Sequence, residues 1–105
     1  MGEHERALPL ARSAAEASPR NPQILDTLGT VQLALGQNEK AIQSLAEAVR
    51  RGASATTQVR HALALAQSGD KDQARLTLSA AKTRDDAEGD EFEALVEEVE
   101  SNLTP

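Results

Sequence analysis

The stretch that decides the fold is residues 21–52, NPQILDTLGTVQLALGQNEKAIQSLAEAVRRG. Apolar residues recur in it at intervals of three and four, the spacing of one face of an α-helix, on both sides of Gly36. Asn21-Pro22 is a typical helix start, because Asn caps a first turn and Pro needs no N–H partner there. Gly36 and Gly52 suit the left-handed conformation that ends many helices. The stretch therefore predicts two antiparallel helices joined at Gly36.

The same pattern recurs along the chain. A glycine followed five residues later by alanine occurs at Gly2, Gly36 and Gly69, and apolar residues continue at helical spacing after each alanine. The composition agrees, because alanine and leucine dominate the apolar residues while Phe92 is the only aromatic one, a balance that disfavours strands. A single helix hairpin of this size cannot bury its apolar face and must stack on a neighbour. We therefore expect an all-α array of stacked hairpins.

The spacing within residues 21–52 matches a known repeat signature. The matching positions are Leu25, Leu28-Gly29, Gly36, Ala41, Leu45 and Ala48. In this respect the stretch resembles a tetratricopeptide repeat (TPR), in which small residues lie where helices cross closely. The resemblance implies a TPR-like α-α solenoid, a right-handed superhelix of antiparallel helix hairpins. Two positions depart from the signature, since Gln32 replaces the usual aromatic residue and Ala53 the frequent proline.

The pattern divides one predicted domain, residues 1–105, into segments. These are the second helix of a truncated repeat (3–19), a repeat (21–52), a weaker repeat (54–82) and a C-terminal capping helix (90–103). Pro9 either kinks the first helix or marks a start near Leu8, since an interior proline costs about 3 kcal/mol. The helix within 54–68 fits the signature only if one or two residues are dropped from its start, which leaves its register open. Asp90 is predicted to cap the last helix.

The two ends of the chain carry further expectations. Because the helical pattern begins directly after Met1-Gly2, we expect a segment excised from a longer protein. The Gly-Asp-Lys turn at residue 69 and the run from Phe92 into Glu-Ala-Leu-Val are similar to the C-terminal region of long bacterial TPR proteins of the exosortase/PEP-CTERM or exopolysaccharide-export type. The compartment stays open between cytoplasm and periplasm.

Charge and composition argue against several functions. Residues 85–105 hold nine acidic and no basic residues, so the net charge of −6 comes from this tail. A nucleic-acid partner is disfavoured, because the chain lacks both a clustered basic face and aromatic stacking platforms. Membrane insertion, a cofactor, a metal site and enzymatic activity are not expected, since there is no cysteine, no long apolar run and no catalytic motif, and His4 and His61 lie far apart.

The expected function is to hold a protein or peptide partner in the concave groove. The resemblance places the first helix of each hairpin on that side, and the implied contact residues are Gln23, Asp26, Thr30, Leu33, Arg60 and Leu63. The alternative is a structural C-terminal cap of a longer solenoid, with no ligand of its own. In either case the apolar face of the first helix, which includes Leu8 and Leu10, lacks a cover. Self-association through that face is therefore expected.

Overall fold

The computed structural model describes residues 2–104, which contain six α-helices and no strand. The helices are α1 (Glu3–Ala17), α2 (Pro22–Ala34), α3 (Asn38–Arg50), α4 (Ala55–Gln67), α5 (Lys71–Lys82) and α6 (Asp90–Leu103). α2 packs along α3 and α4 along α5, so that each pair forms a hairpin. α4 also packs on α3, and α1 packs on α2. The chain is therefore an all-α helical repeat solenoid, as the sequence predicted.

The helix ends follow from the caps and glycines in the sequence. The Asn21 side chain accepts hydrogen bonds from the N–H groups of Gln23 and Ile24, at 2.9 and 3.3 Å, and so caps α2. Gly36 has φ 75° and Gly69 has φ 98°, the left-handed region that favours glycine. Both hairpin turns thus form at the predicted glycines.

The structure decides between the two readings of Pro9, and it shows that the predicted cap of the last helix is wrong. α1 begins at Glu3, inside the predicted segment 3–19, and continues through Pro9, so the helix does not start near Leu8. Its first turn is held by a hydrogen bond from the Gly2 N–H to the Glu5 carboxylate, which supports a start ahead of the proline. The residue that precedes α6 is Gly89, with φ 106°, and Asp90 is the first helical residue instead of the cap. There its carboxylate faces the positive end of the helix dipole.

The helices of the first hairpin, α2 and α3, pack closely at Gly29. A Cβ atom added to Gly29 on α2 would lie 2.5 Å from Cγ of Leu45 on α3, which is closer than any normal contact. Leu45, Ala41 and Ala48 on α3 are fully buried. Glycine at this position therefore lets α2 and α3 approach closely enough for Leu45 to fill the space between them.

The position of α6 sets the shape of the C-terminal half. α6 packs chiefly against α4 and contacts α5 far less. α4 meets the hairpin that precedes it differently, because it contacts the second helix, α3, far more than the first helix, α2. Phe92 and Val99 of α6 join the largest core cluster, which also contains Val59 and Leu63 of α4. α6 therefore lies along the first helix of the last hairpin.

None of the helices between residues 2 and 104 is long and apolar enough to span a lipid bilayer.

Candidate functional site

A groove runs between α2 and α6, with α4 as its floor. A cavity of about 360 Å³ occupies it. Its lining residues come from three helices and are Thr30, Leu33, Ala34, Arg60, Leu63, Gln67, Leu95 and Glu98. A second cavity of about 290 Å³ adjoins the first, because Thr30 and Arg60 line both, and it extends along α2 to His4 of α1. We call the two cavities together the α2–α4 groove, because residues of α2 and α4 line both of them.

Arg60 lies at the centre of this groove and joins three helices. Its Nη1 donates hydrogen bonds to both carboxylate oxygens of Asp26 on α2, at 3.2 and 3.1 Å. Its Nη2 donates to the Glu91 carboxylate on α6 at 2.5 Å. The Arg60 side chain is only 14% exposed, whereas Glu91 is 69% exposed. One cation therefore faces two carboxylates, and the centre of the groove has a net negative charge.

The structure brings most of the predicted contact residues together. Thr30, Leu33, Arg60 and Leu63 line the larger cavity of the groove, and Asp26 lines the smaller one. Gln23 does not line either cavity of the groove. It lines a third cavity of about 310 Å³ at the N-terminal ends of α2 and α4, which meets the groove at Asp26.

The predicted residues differ in how accessible they are. Leu63 is only 3% exposed, because it belongs to the core cluster that α6 covers. Thr30 and Leu33 are half-buried and keep part of their surface open to the groove. The Thr30 hydroxyl donates to the carbonyl oxygen of Asp26 at 2.7 Å, so a ligand would meet it as an acceptor. The accessible part of the groove therefore lies on the α2 side.

The loop between α5 and α6 is fixed to the start of α4. Arg84 donates to the Ala53 carbonyl oxygen and to the Gln58 side chain, both at 3.0 Å. The Ala55 N–H donates to the Asp86 carboxylate at 3.0 Å. This backbone hydrogen bond, aided by the charge of Arg84, holds the pKa of Asp86 below its ordinary value. The loop thus determines where α6 begins.

The remaining titratable groups with altered pKa values have structural explanations. Hydrogen bonds from Arg50 and then Arg51 lower the pKa of Glu47, and all three residues lie at the C-terminal end of α3. Burial lowers the pKa of His61 on α4, because the uncharged ring is favoured away from water. Within residues 2–104 no group of three or more His, Asp or Glu residues is placed to hold a metal ion.

Sequence reasoning missed the part that α6 takes in the site. Leu95 and Glu98 line the groove and Glu91 bonds Arg60 at its centre, whereas the sequence pattern assigns all three to a capping helix with no part in the site. Arg60 and Glu91 are 31 positions apart in the sequence, a separation that gives no spacing signal for this pair. The acidic outer face of α6 is the available signal, but contact with solvent is the simpler explanation of its charges.

Comparison with known protein families identifies the repeat. A family model described as tetratricopeptide repeat matches residues 1–66, which is more than half of the chain. The match covers α1, the first hairpin and nearly all of α4. Neither the curated proteins nor the solved structures gave a significant match.

Proposed function

Because the chain belongs to the tetratricopeptide repeat family, we propose that it is a scaffold module that binds a peptide segment or protein partner in the α2–α4 groove. Repeats of this family generally mediate protein–protein interaction and are typically non-catalytic. The observation that carries the proposal is the groove itself, where half-buried Leu33 and Thr30 lie beside the Arg60 cluster. Such a mixed apolar and polar lining suits an extended or helical segment.

A structural role is the second candidate. α6 covers much of α4, which supports the view that this segment terminates a solenoid whose partners bind elsewhere. The two functions differ in whether the α2–α4 groove contacts another protein. The finer proposal that the module serves a bacterial exosortase or exopolysaccharide-export assembly rests only on the sequence similarity of the C-terminal end.

We also propose that the chain associates with itself through α1. Leu10 is 74% exposed, although it is a large apolar residue. The repeat offset of 34 residues places it at the position of Ser44 on α3. Ser44 faces the first helix of its own hairpin, since its hydroxyl donates to the Gln32 side chain at 2.8 Å. Leu10 therefore lies on the side of α1 that corresponds to the hairpin interface of α3, where another helix could pack against it.

Site-specific photo-crosslinking tests the proposed partner binding. A benzophenone amino acid is introduced at Thr30, inside the groove, and in a matched variant at Gln43, an exposed position on α3 that lines none of the three cavities. Each full-length variant is irradiated in the cells that produce the protein. We expect one discrete crosslinked protein from position 30, and its loss when Leu33→Arg is added.

Two results would favour the structural role instead. One is equal labelling from positions 30 and 43, and the other is a product at position 30 that persists with Leu33→Arg. Circular dichroism at 222 nm checks that every variant keeps its helices.

A further inference from the structure

The first helices of the two hairpins, α2 and α4, differ in how deeply their groove-facing residues are buried. α4 begins and ends 33 residues after α2, so equivalent positions are related by that offset. Asp26, Thr30 and Leu33 on α2 are all half-buried. Their equivalents on α4 are Val59, Leu63 and Ala66, which are 0%, 3% and 6% exposed. The same face is thus open on α2 and closed on α4.

α6 covers this face of α4. Phe92 and Val99 belong to the same core cluster as Val59 and Leu63. Leu103, at the end of α6, packs against the cluster that contains Ala66. Because α6 contacts α5 so much less, it covers α4 from the groove side and does not stack as the next helix of the array.

α6 has the features of a bound helical ligand. Its apolar anchors recur at helical spacing along one face, while its other faces are acidic. The exposed acid Glu91, one residue before the first anchor Phe92, bonds Arg60. The second partner of Arg60 is Asp26 on α2, so this ion pair does not involve α6. A short loop that ends in Gly89 connects α5 to α6.

Resting on the proposed binding function, we propose that the groove face of α4 is a helix-binding site that α6 occupies in the free chain. The partner binds there as an amphipathic helix of the same chemistry as α6. It presents an acidic residue for Arg60, then an aromatic or large aliphatic anchor, and further apolar residues about three and seven positions later. α6 competes from within the chain at a high effective concentration, so only a partner helix that binds more tightly displaces it.

A peptide of residues 89–104 carrying fluorescein is the probe, and its anisotropy is measured with the full-length chain. Phe92→Ala in the chain removes the main anchor of its own α6, while the peptide retains phenylalanine. We expect this variant to bind the peptide saturably and at least about tenfold more tightly than the unmodified chain. Leu76→Ala, at an exposed leucine on α5, is the matched control and should behave like the unmodified chain.

Native-state hydrogen exchange of the unmodified chain provides a second, independent measurement. The amides of α6 should exchange through a local opening in which helices α2, α3 and α4 keep their protection. Equal protection of α6 and α4, absence of saturable peptide binding by the Phe92→Ala chain, or loss of all helicity in that variant would each overturn the proposal. A failure of groove crosslinking in cells would instead argue against the proposed function alone. The peptide assay is independent of that result, because it requires no natural partner.

Discussion

Arg60 on α4 holds Asp26 on α2 through two hydrogen bonds from the same guanidinium nitrogen, across 34 residues of sequence. α2 and α4 otherwise make few contacts with each other. The ion pair therefore links directly two helices that otherwise meet mainly through α3, and these helices form the floor and one wall of the α2–α4 groove. The additional bond to Glu91 connects the opposite wall to the same cation.

We expect Arg60→Met to lower the free energy of unfolding by about 1–2 kcal/mol, because the half-buried Asp26 loses its partner. Glu91→Gln should cost less than about 0.5 kcal/mol, since that carboxylate is largely exposed. Urea unfolding followed at 222 nm measures both changes. A double-mutant cycle with Asp26→Asn should show coupling to Arg60, and additive effects would contradict a stabilising ion pair.

Gly29→Ala should destabilise the chain by about 1–2 kcal/mol, even though alanine is the better helix former by about 1 kcal/mol. The added Cβ would collide with the fully buried Leu45 side chain. Thermal unfolding of Gly29→Ala alone and together with Leu45→Val provides the measurement. The smaller valine should recover part of the loss, and a Gly29→Ala chain as stable as the original would disprove close packing here.

The stability of the chain should depend on the charge of Asp86 at acidic pH. The folded-state pKa of this carboxyl lies below its unfolded value of about 3.8, because it accepts the Ala55 N–H. Its contribution is thus fully present above the unfolded pKa and is lost as pH falls through the folded one. We expect Asp86→Asn to lower the melting temperature at pH 7, with the difference disappearing at the acidic end.

Asp85→Asn, at the exposed neighbouring residue, is the control for Asp86→Asn. A difference between Asp86→Asn and the original chain that stays constant from neutral to strongly acidic pH would show that the charge of Asp86 does not contribute.

Self-association through α1 predicts a concentration-dependent oligomer in sedimentation equilibrium. Leu10→Glu places a charge at the centre of the exposed apolar face and should shift the equilibrium to the monomer. Leu76→Glu changes another exposed large apolar residue, on α5, and should leave the association unchanged. A chain that stays monomeric at high concentration, or an equal effect of both substitutions, would exclude α1 as the interface.

The hairpins were predictable because local chemistry determines them. Asn21 caps α2, Gly36 and Gly69 end helices in the left-handed region, and Gly29 allows the close crossing onto Leu45, all of which follow from the residue types and their spacing. The unbroken first helix was not predictable from the cost of Pro9 alone. That cost competes with the capping of the first turn by Glu5 and the packing of α1 on α2.

The candidate site could be predicted only on its α2 side. Thr30 and Leu33 follow from helical periodicity, which fixes the face that they share. The placement of α6 depends instead on the loop through Arg84 and Asp86, whose contacts reach back about 30 residues to the start of α4. Periodicity within α6 identifies its apolar face but does not specify which helix that face covers.

The position of Phe92 is the most direct thing to measure, since the groove and its proposed occupant both depend on α6 lying along α4. Phe92 is the only Phe, Tyr or Trp residue in the chain, so nuclear Overhauser contacts from its ring are readily assigned. The placement of α6 along α4 predicts contacts from the ring to methyl groups of α4, including those of Val59 or Leu63. Ring contacts confined to α5, or to no other helix, would contradict it.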